Sequence, residues 1–373
     1  MTHFIKTYFW LFLPLFFISS SNDGVNLDTI IKHNIIVSHP GEKESVNVIL
    51  YQSVNENGLP AAYYMDVQSV ICLEEVCKII PVRIFWNNIG DYKKYELEKG
   101  ATLEKYEDDV FDPQDYPKLN TILANRNSPF KEVYIDEILT VVDVHGDADA
   151  VSGATALELD EKDTVPGAAL TCYTLWHWAN GGIVDRIKEI TGRSVSNQQL
   201  QDFLVDENET YFDIALVDLE RRKNYSQTFI SIITKRVLEE ESLLKSTFNY
   251  LENAPSITYF SATQELFLKG KKEQKLAAIR SLKSIKYKVS NSYLDTLSNE
   301  MTKFRSYQEV SFFLDLMETK KPNSKKVVDN VFLLLKSDFI KARRAYWFLN
   351  NQQLSAAQKE ILNNFQQENK NKL

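Results

Sequence analysis

The residues best suited to chemistry form one run, Asp149-Ala150-Val151-Ser152-Gly153-Ala154-Thr155. A carboxylate, two hydroxyls and two residues with almost no side chain stand at close spacing. An ordinary loop needs only one glycine. Gly153 and Ala154 let a bulky group approach the backbone. Ser152 and the N–H groups of a turn can hydrogen-bond phosphate oxygens. Thr155 carries a hydroxyl able to form a phosphoester. The chemistry implied is the close holding, or covalent attachment, of a phosphate-bearing group. A bare structural turn is the second reading and a metal site the third, because His145, Asp147 and Asp149 alternate as ligands would. With five histidines in the whole chain, supporting ligands for it are few.

The rest of the chain must position that run. Its 373 residues suffice for two or three folded units. The 18 Tyr and 21 Phe can build large cores, and a net charge of −8 without a basic block argues against a nucleic-acid partner. The N-terminus reads as an export signal: Lys6, an apolar run from Tyr8 to Ile18, then Ser19, Ser20 and Ser21. Residues 1–21 are expected to be a signal peptide, with an uncleaved anchor as the alternative. The protein would then be exported, in a periplasmic or other extracytoplasmic setting, where membrane association is open to it.

Export changes how the cysteines read. Cys72 and Cys77 bracket Leu-Glu-Glu-Val between strand-like flanks, so a disulfide clamping a hairpin end is expected. A redox dithiol is the alternative, with only Lys78 nearby as a cation. Cys172 lies in an apolar helical pattern and reads as a small buried hydrophobe. No nucleotide loop, nucleophile elbow, paired zinc motif or haem attachment motif occurs.

Residues 22–165 read as mixed strand and turn, with strands over 47–54, 61–73 and 78–86. A short helix is expected near Asp115, with Asp115 as its cap and Pro117 in its first turn. From Pro166 onward the pattern is helical. The first helix stops at Gly181 and Gly182. Further on, Tyr307, Val310, Phe313, Leu314 and Met317 share one helix face, as do Val327, Val328, Val331 and Leu335. About eight such helices after residue 208, joined by short loops, suggest a HEAT-like α-solenoid. A compact bundle is the alternative. The fold class expected is therefore an α+β domain over 22–183 followed by an all-α, helical-repeat region over 184–373.

The run Asp149 to Thr155 fits D-x-x-[ST]-G-A-T, and so resembles the flavinylation motif of FMN-binding domains. These occur in subunits of the sodium-pumping NADH:quinone reductase, in Rnf-type complexes and in related exported flavoproteins. By chance the pattern arises in roughly one chain of this length per thousand. The resemblance covers about ten residues. It implies FMN held covalently through a phosphoester to Thr155, with Asp149, Ser152, Gly153 and Ala154 as recognition residues. It also implies a partner flavin transferase that uses FAD as donor. Family members often continue with a second hydroxyl residue and a helix; here Ala156, Leu157 and an acidic run follow. His177, between Trp176 and Trp178, is the candidate for tuning the flavin. Trp86, Tyr92 and Tyr95 are candidate walls for its ring. The function implied is extracytoplasmic electron transfer with a redox partner protein, by an electron-transfer flavoprotein rather than a substrate-specific enzyme. The competing expectation is a cofactor-free helical scaffold that binds other proteins.

Overall fold

The computed structural model describes residues 29–71, 79–105, 109–135, 138, 162–322 and 324–373. The export-signal segment, Cys72, Cys77, His145 and the run Asp149 to Thr155 lie outside the described residues. An antiparallel sheet is followed by an all-helical region, which is the order of α+β then all-α expected from the pattern.

Five strands form a meander: β1 (Thr29–Val37), β2 (Val46–Val54), β3 (Pro60–Gln68), β4 (Pro81–Asn87) and β5 (Tyr92–Leu97), adjacent in chain order. Period-two burial decides which face is inward. Tyr63, Met65 and Val67 on β3, and Val82, Ile84 and Trp86 on β4, point into the core. The opposite face carries a ladder that crosses every strand. Lys32 lies over Tyr51, Tyr51 stacks on Tyr64 at 4.7 Å, Tyr64 meets Phe85, and Lys94 lies over Phe85. Arg83 covers Tyr64 and forks onto Asp66. Cation–π and cross-strand contacts thus shield this aromatic row.

Helix α1 (Asp115–Ala124) packs against β5. Asp115 lies inside its first turn rather than capping it. The Asp115 carboxylate accepts from the Asp112 N–H at 2.7 Å and pairs with Lys105 at 2.7 Å. Helix α2 (Ala169–Asn180) is buried on nearly every side, so it forms the centre of the first core rather than a surface helix. Cys172, on this helix, is fully buried and free. Helix α3 (Ile183–Ser194) follows after Gly181 and Gly182. Specific bonds latch the α2–α3 pair to the sheet. Trp86 Nε1 donates to the Ala179 carbonyl at 2.7 Å, Tyr63 Oη meets Thr191 Oγ1 at 2.9 Å, and Thr191 donates to the Asn88 carbonyl at 2.6 Å.

The β4–β5 turn joins this core to the next. Ile89 at its tip packs with the helical region, and Tyr211 Oη donates to Asn88 Oδ1 at 2.8 Å. Gly90 makes the turn possible with φ of 82°. A Cβ there would also lie 2.8 Å from Val184 Cγ1. Gly90→Ala is therefore expected to lower stability by about 1–3 kcal/mol, read from the urea midpoint. A midpoint equal to that of the parent protein would show that the turn relaxes freely.

The second core is built by eleven further helices: α4 (Asn197–Val205), α5 (Glu209–Arg221), α6 (Gln227–Glu239), α7 (Leu244–Glu252), α8 (Ser256–Lys269), α9 (Lys272–Ser284), α10 (Asn291–Ser298), α11 (Tyr307–Lys320), α12 (Lys325–Leu333), α13 (Phe339–Asn350) and α14 (Ala356–Glu368). Ten of them follow residue 208, against the about eight expected from the pattern. Short breaks separate them, and seven of the eleven starts carry a side-chain cap, at Ser196, Asn208, Ser290, Ser306, Ser324, Asp338 and Ser355. Capping boxes occur at Ser196/Gln199, Ser306/Glu309 and Ser355/Gln358. From α3 to α13 each helix touches the second one along. Side-chain bonds repeat this spacing: Tyr250 to the Asn224 carbonyl, Tyr287 to that of Ala254, Tyr293 to that of Phe260.

Candidate functional site

The candidate site surrounds α2, because this helix carries His177 and follows the Thr155 segment in the chain. Tyr173 and His177, one turn apart, share a face and touch edge to face at 4.4 Å between centroids. Trp176 flanks His177 at 4.9 Å. Opposite them stands His39, from the turn after β1, with its ring 5.6 Å from His177 and 4.6 Å from Trp178. Phe130 closes the group against Tyr173 and Trp176.

His39 is held as one tautomer. Its Nδ1 accepts from the Gly41 N–H at 3.0 Å, so its proton sits on Nε2 and is donated to the Thr174 carbonyl at 3.0 Å. Protonating Nδ1 would set two donors against each other. His177 makes a backbone hydrogen bond to Phe130. Its Nε2 and the indole Nε1 of Trp178, both buried, have no hydrogen-bond partner among the described residues. Trp178 is 5% exposed, so this N–H is a buried donor with capacity left to use.

Burial lowers both imidazoles from the ordinary value near 6.5 to about 4, and His39 adds to the effect on His177 by charge repulsion. Both are neutral at neutral pH and act as hydrogen-bonding groups, not as proton carriers. The linkage has a definite sign. Unfolded histidines take up protons near pH 6.5 and the folded ones only near pH 4, so the folded state binds fewer protons in between. Stability is expected to be full above that window and to fall as pH drops through it. His39 alone contributes up to about 3 kcal/mol of this loss. Urea midpoints measured across the window should fall in the parent protein and flatten in His39→Gln. A parent profile that stays level would mean that the pair titrates normally.

Three stretches of chain meet at Gly41. A Cβ at this glycine would lie 2.6 Å from Ile71 Cδ1, 3.0 Å from Ile135 Cδ1 and 3.3 Å from His39 Nδ1. Ile71 immediately precedes Cys72, and Ile135 leads towards the Asp149–Thr155 run. Ile138 before that run and Val165 after it both belong to the first core, with Tyr173, Trp176 and Trp178. A small cavity of about 170 Å³ lies where the chain returns, lined by Thr121, Asn125, Ser128 and Asp163 among others.

The proposed ring walls have other roles. Trp86 is fully buried and bonded to Ala179. Tyr92 Oη donates to Asn120 and Tyr95 Oη to the Tyr116 carbonyl, which ties β5 to α1. His39 escaped the sequence reading. Its one local signal is the Pro40-Gly41 turn that follows it, and only the tertiary fold brings it to His177. Among the described residues no group of three or more His, Cys, Asp or Glu could hold a metal ion. No described helix is long and apolar enough to cross a membrane.

The fold and site together define a five-stranded antiparallel sheet backed by a helical array, with a neutral histidine–tryptophan cluster at their junction. Comparison with known protein families, curated proteins and solved structures finds no match.

Proposed function

We propose that the protein is an exported flavoprotein that holds FMN on Thr155 and takes part in extracytoplasmic electron transfer. The observation that carries this reading is the run Asp149-Ala150-Val151-Ser152-Gly153-Ala154-Thr155. The Thr155 hydroxyl would supply the phosphoester oxygen and lose its proton, with AMP leaving from the FAD used by a flavin transferase. FMN, when bound, supplies reversible one- or two-electron transfer. Asp149, Ser152, Gly153 and Ala154 would be read by the transferase.

The described residues fit such a group chemically. The Trp178 N–H and His177 Nε2 are buried polar atoms of the kind a heteroaromatic edge satisfies, set among apolar and aromatic side chains. His39 and His177, kept neutral, place no positive charge there at neutral pH. A Cys72–Cys77 disulfide is part of the same exported reading.

The all-α region is best read as a HEAT-like α-solenoid. Its helices pack in a repeating next-but-one order, and its inter-helix bonds link neighbouring units, as in quasi-one-dimensional stacks. It would dock the flavin domain on a redox partner, membrane-associated or free. A cofactor-free scaffold is the second reading, favoured by an open groove of about 720 Å³ between α7 and α9, lined by Lys245, Phe248, Glu252, Glu273 and Arg280 among others.

In-gel fluorescence separates the two readings. The full chain, made with its own signal beside a flavin transferase, should give a band that fluoresces after denaturation. A dark band, with the transferase shown active on a known acceptor, would sink the flavin reading and leave the groove as the place to look.

A further inference from the structure

The two edges of the sheet are unlike. β5 is packed by α1 and bears exposed Lys93, Lys94 and Glu96, the charges and cover that blunt an edge. β1 has neither. It is nine residues long, Thr-Ile-Ile-Lys-His-Asn-Ile-Ile-Val, and among the described residues it pairs only with β2. Ile30, Ile31 and Ile36 are 45%, 41% and 55% exposed. The same strand therefore offers apolar side chains on both faces and a row of backbone N–H and C=O groups without a partner strand among the described residues.

The isoleucines of β1 are placed symmetrically about His33. An antiparallel pairing centred on His33 sets Ile30 opposite Ile36, Ile31 opposite Ile35, Lys32 opposite Asn34 and Thr29 opposite Val37. Every isoleucine then meets an isoleucine, and Lys32 faces an amide, not another cation. Directly opposed residues lie on one face, so this register keeps the two core faces on the same side. The next registers that do so shift the pairing by two positions and set Ile36 against Lys32, or Ile30 against Asn34. Helices leave room for the approach, since Ile31, on the core face, is still 41% exposed.

We propose that β1 is a homodimerisation edge: two copies of this chain pair β1 to β1 about a two-fold axis through His33, joining their sheets into one. Isologous pairing satisfies both edges at once and closes, so it gives a dimer and not a filament. The inference is independent of the flavin reading.

Sedimentation equilibrium of the full chain tests it. The parent protein is expected to be dimeric. The double variant Ile30→Lys/Ile36→Lys sets like charges opposite each other twice per dimer, and should weaken association about tenfold or more. The charge-swapped variant Ile30→Glu/Ile36→Lys should restore the dimer at low salt and lose that gain at high salt. Only the register centred on His33 brings positions 30 and 36 together, so the rescue is specific to it. Circular dichroism matching the parent shows that each variant folds; if the double variant does not, the charge-swapped pair alone carries the comparison. A monomeric parent protein, or a dimer that both variants leave unchanged, would overturn the proposal.

Discussion

Thr155→Val is expected to abolish covalent flavin completely, while Thr155→Ser keeps a measurable part of it. Valine matches threonine in shape and removes only the hydroxyl, so the proposed recognition residues Asp149, Ser152, Gly153 and Ala154 are unchanged in type. Without that oxygen no phosphoester forms. Serine restores the oxygen but not the methyl group that restricts its rotamers. The readout is the ratio of flavin fluorescence to protein stain in a denaturing gel. Ser152→Ala is the useful contrast. It removes the hydroxyl proposed to bind phosphate but leaves the proposed attachment atom, so labelling should slow without disappearing. A valine variant that stays as fluorescent as the parent would place the attachment elsewhere and remove the basis for assigning Thr155.

The second large effect is structural. Trp86→Ala should lower stability by about 3–5 kcal/mol, since it deletes the largest fully buried side chain of the sheet. Two costs combine. A cavity opens between β4 and α2, and the Ala179 carbonyl loses its donor at 2.7 Å. Ala179 lies in the last turn of α2, where carbonyls lack partners within the helix. Trp86 thus serves as a tertiary cap as well as core filling. Trp86→Phe separates the two, because it keeps most of the volume and loses only the bond, at about 0.5–1.5 kcal/mol. Chemical denaturation of both variants measures the difference. A Trp86→Ala loss below about 1 kcal/mol would show that the core repacks around the gap. The consequence reaches the candidate site, because α2 also carries His177, Tyr173 and Trp178.

Local pattern carried much of the fold. Alternation in Tyr63, Met65 and Val67, and again in Val82, Ile84 and Trp86, is a strand signal that needs no knowledge of neighbours. The stop of α2 at Gly181 was legible for the same reason, and so was the burial of Cys172. β1 was not singled out. Its isoleucines come in adjacent pairs, Ile30–Ile31 and Ile35–Ile36, so no single face is apolar, which is the mark of an edge strand partly open on both sides. Asp115 was expected as a helix cap and instead bonds to Asp112 and Lys105, because a first-turn carboxylate can reach back to the preceding turn.

From the sequence alone come the succession of a strand-rich part and a helix-rich part, the candidate phosphoester residue and His177 as a candidate beside it. Each rests on neighbours within a few positions, where side-chain periodicity and local chemistry act. The tertiary structure decided which groups meet. It set His39 against His177 and Trp178, turned Trp86 from a candidate ring wall into a core anchor, and left β1 at the edge of the sheet among the described residues. These outcomes depend on loop closure and on which surfaces bury one another, and those free energies belong to pairs of segments far apart in the chain.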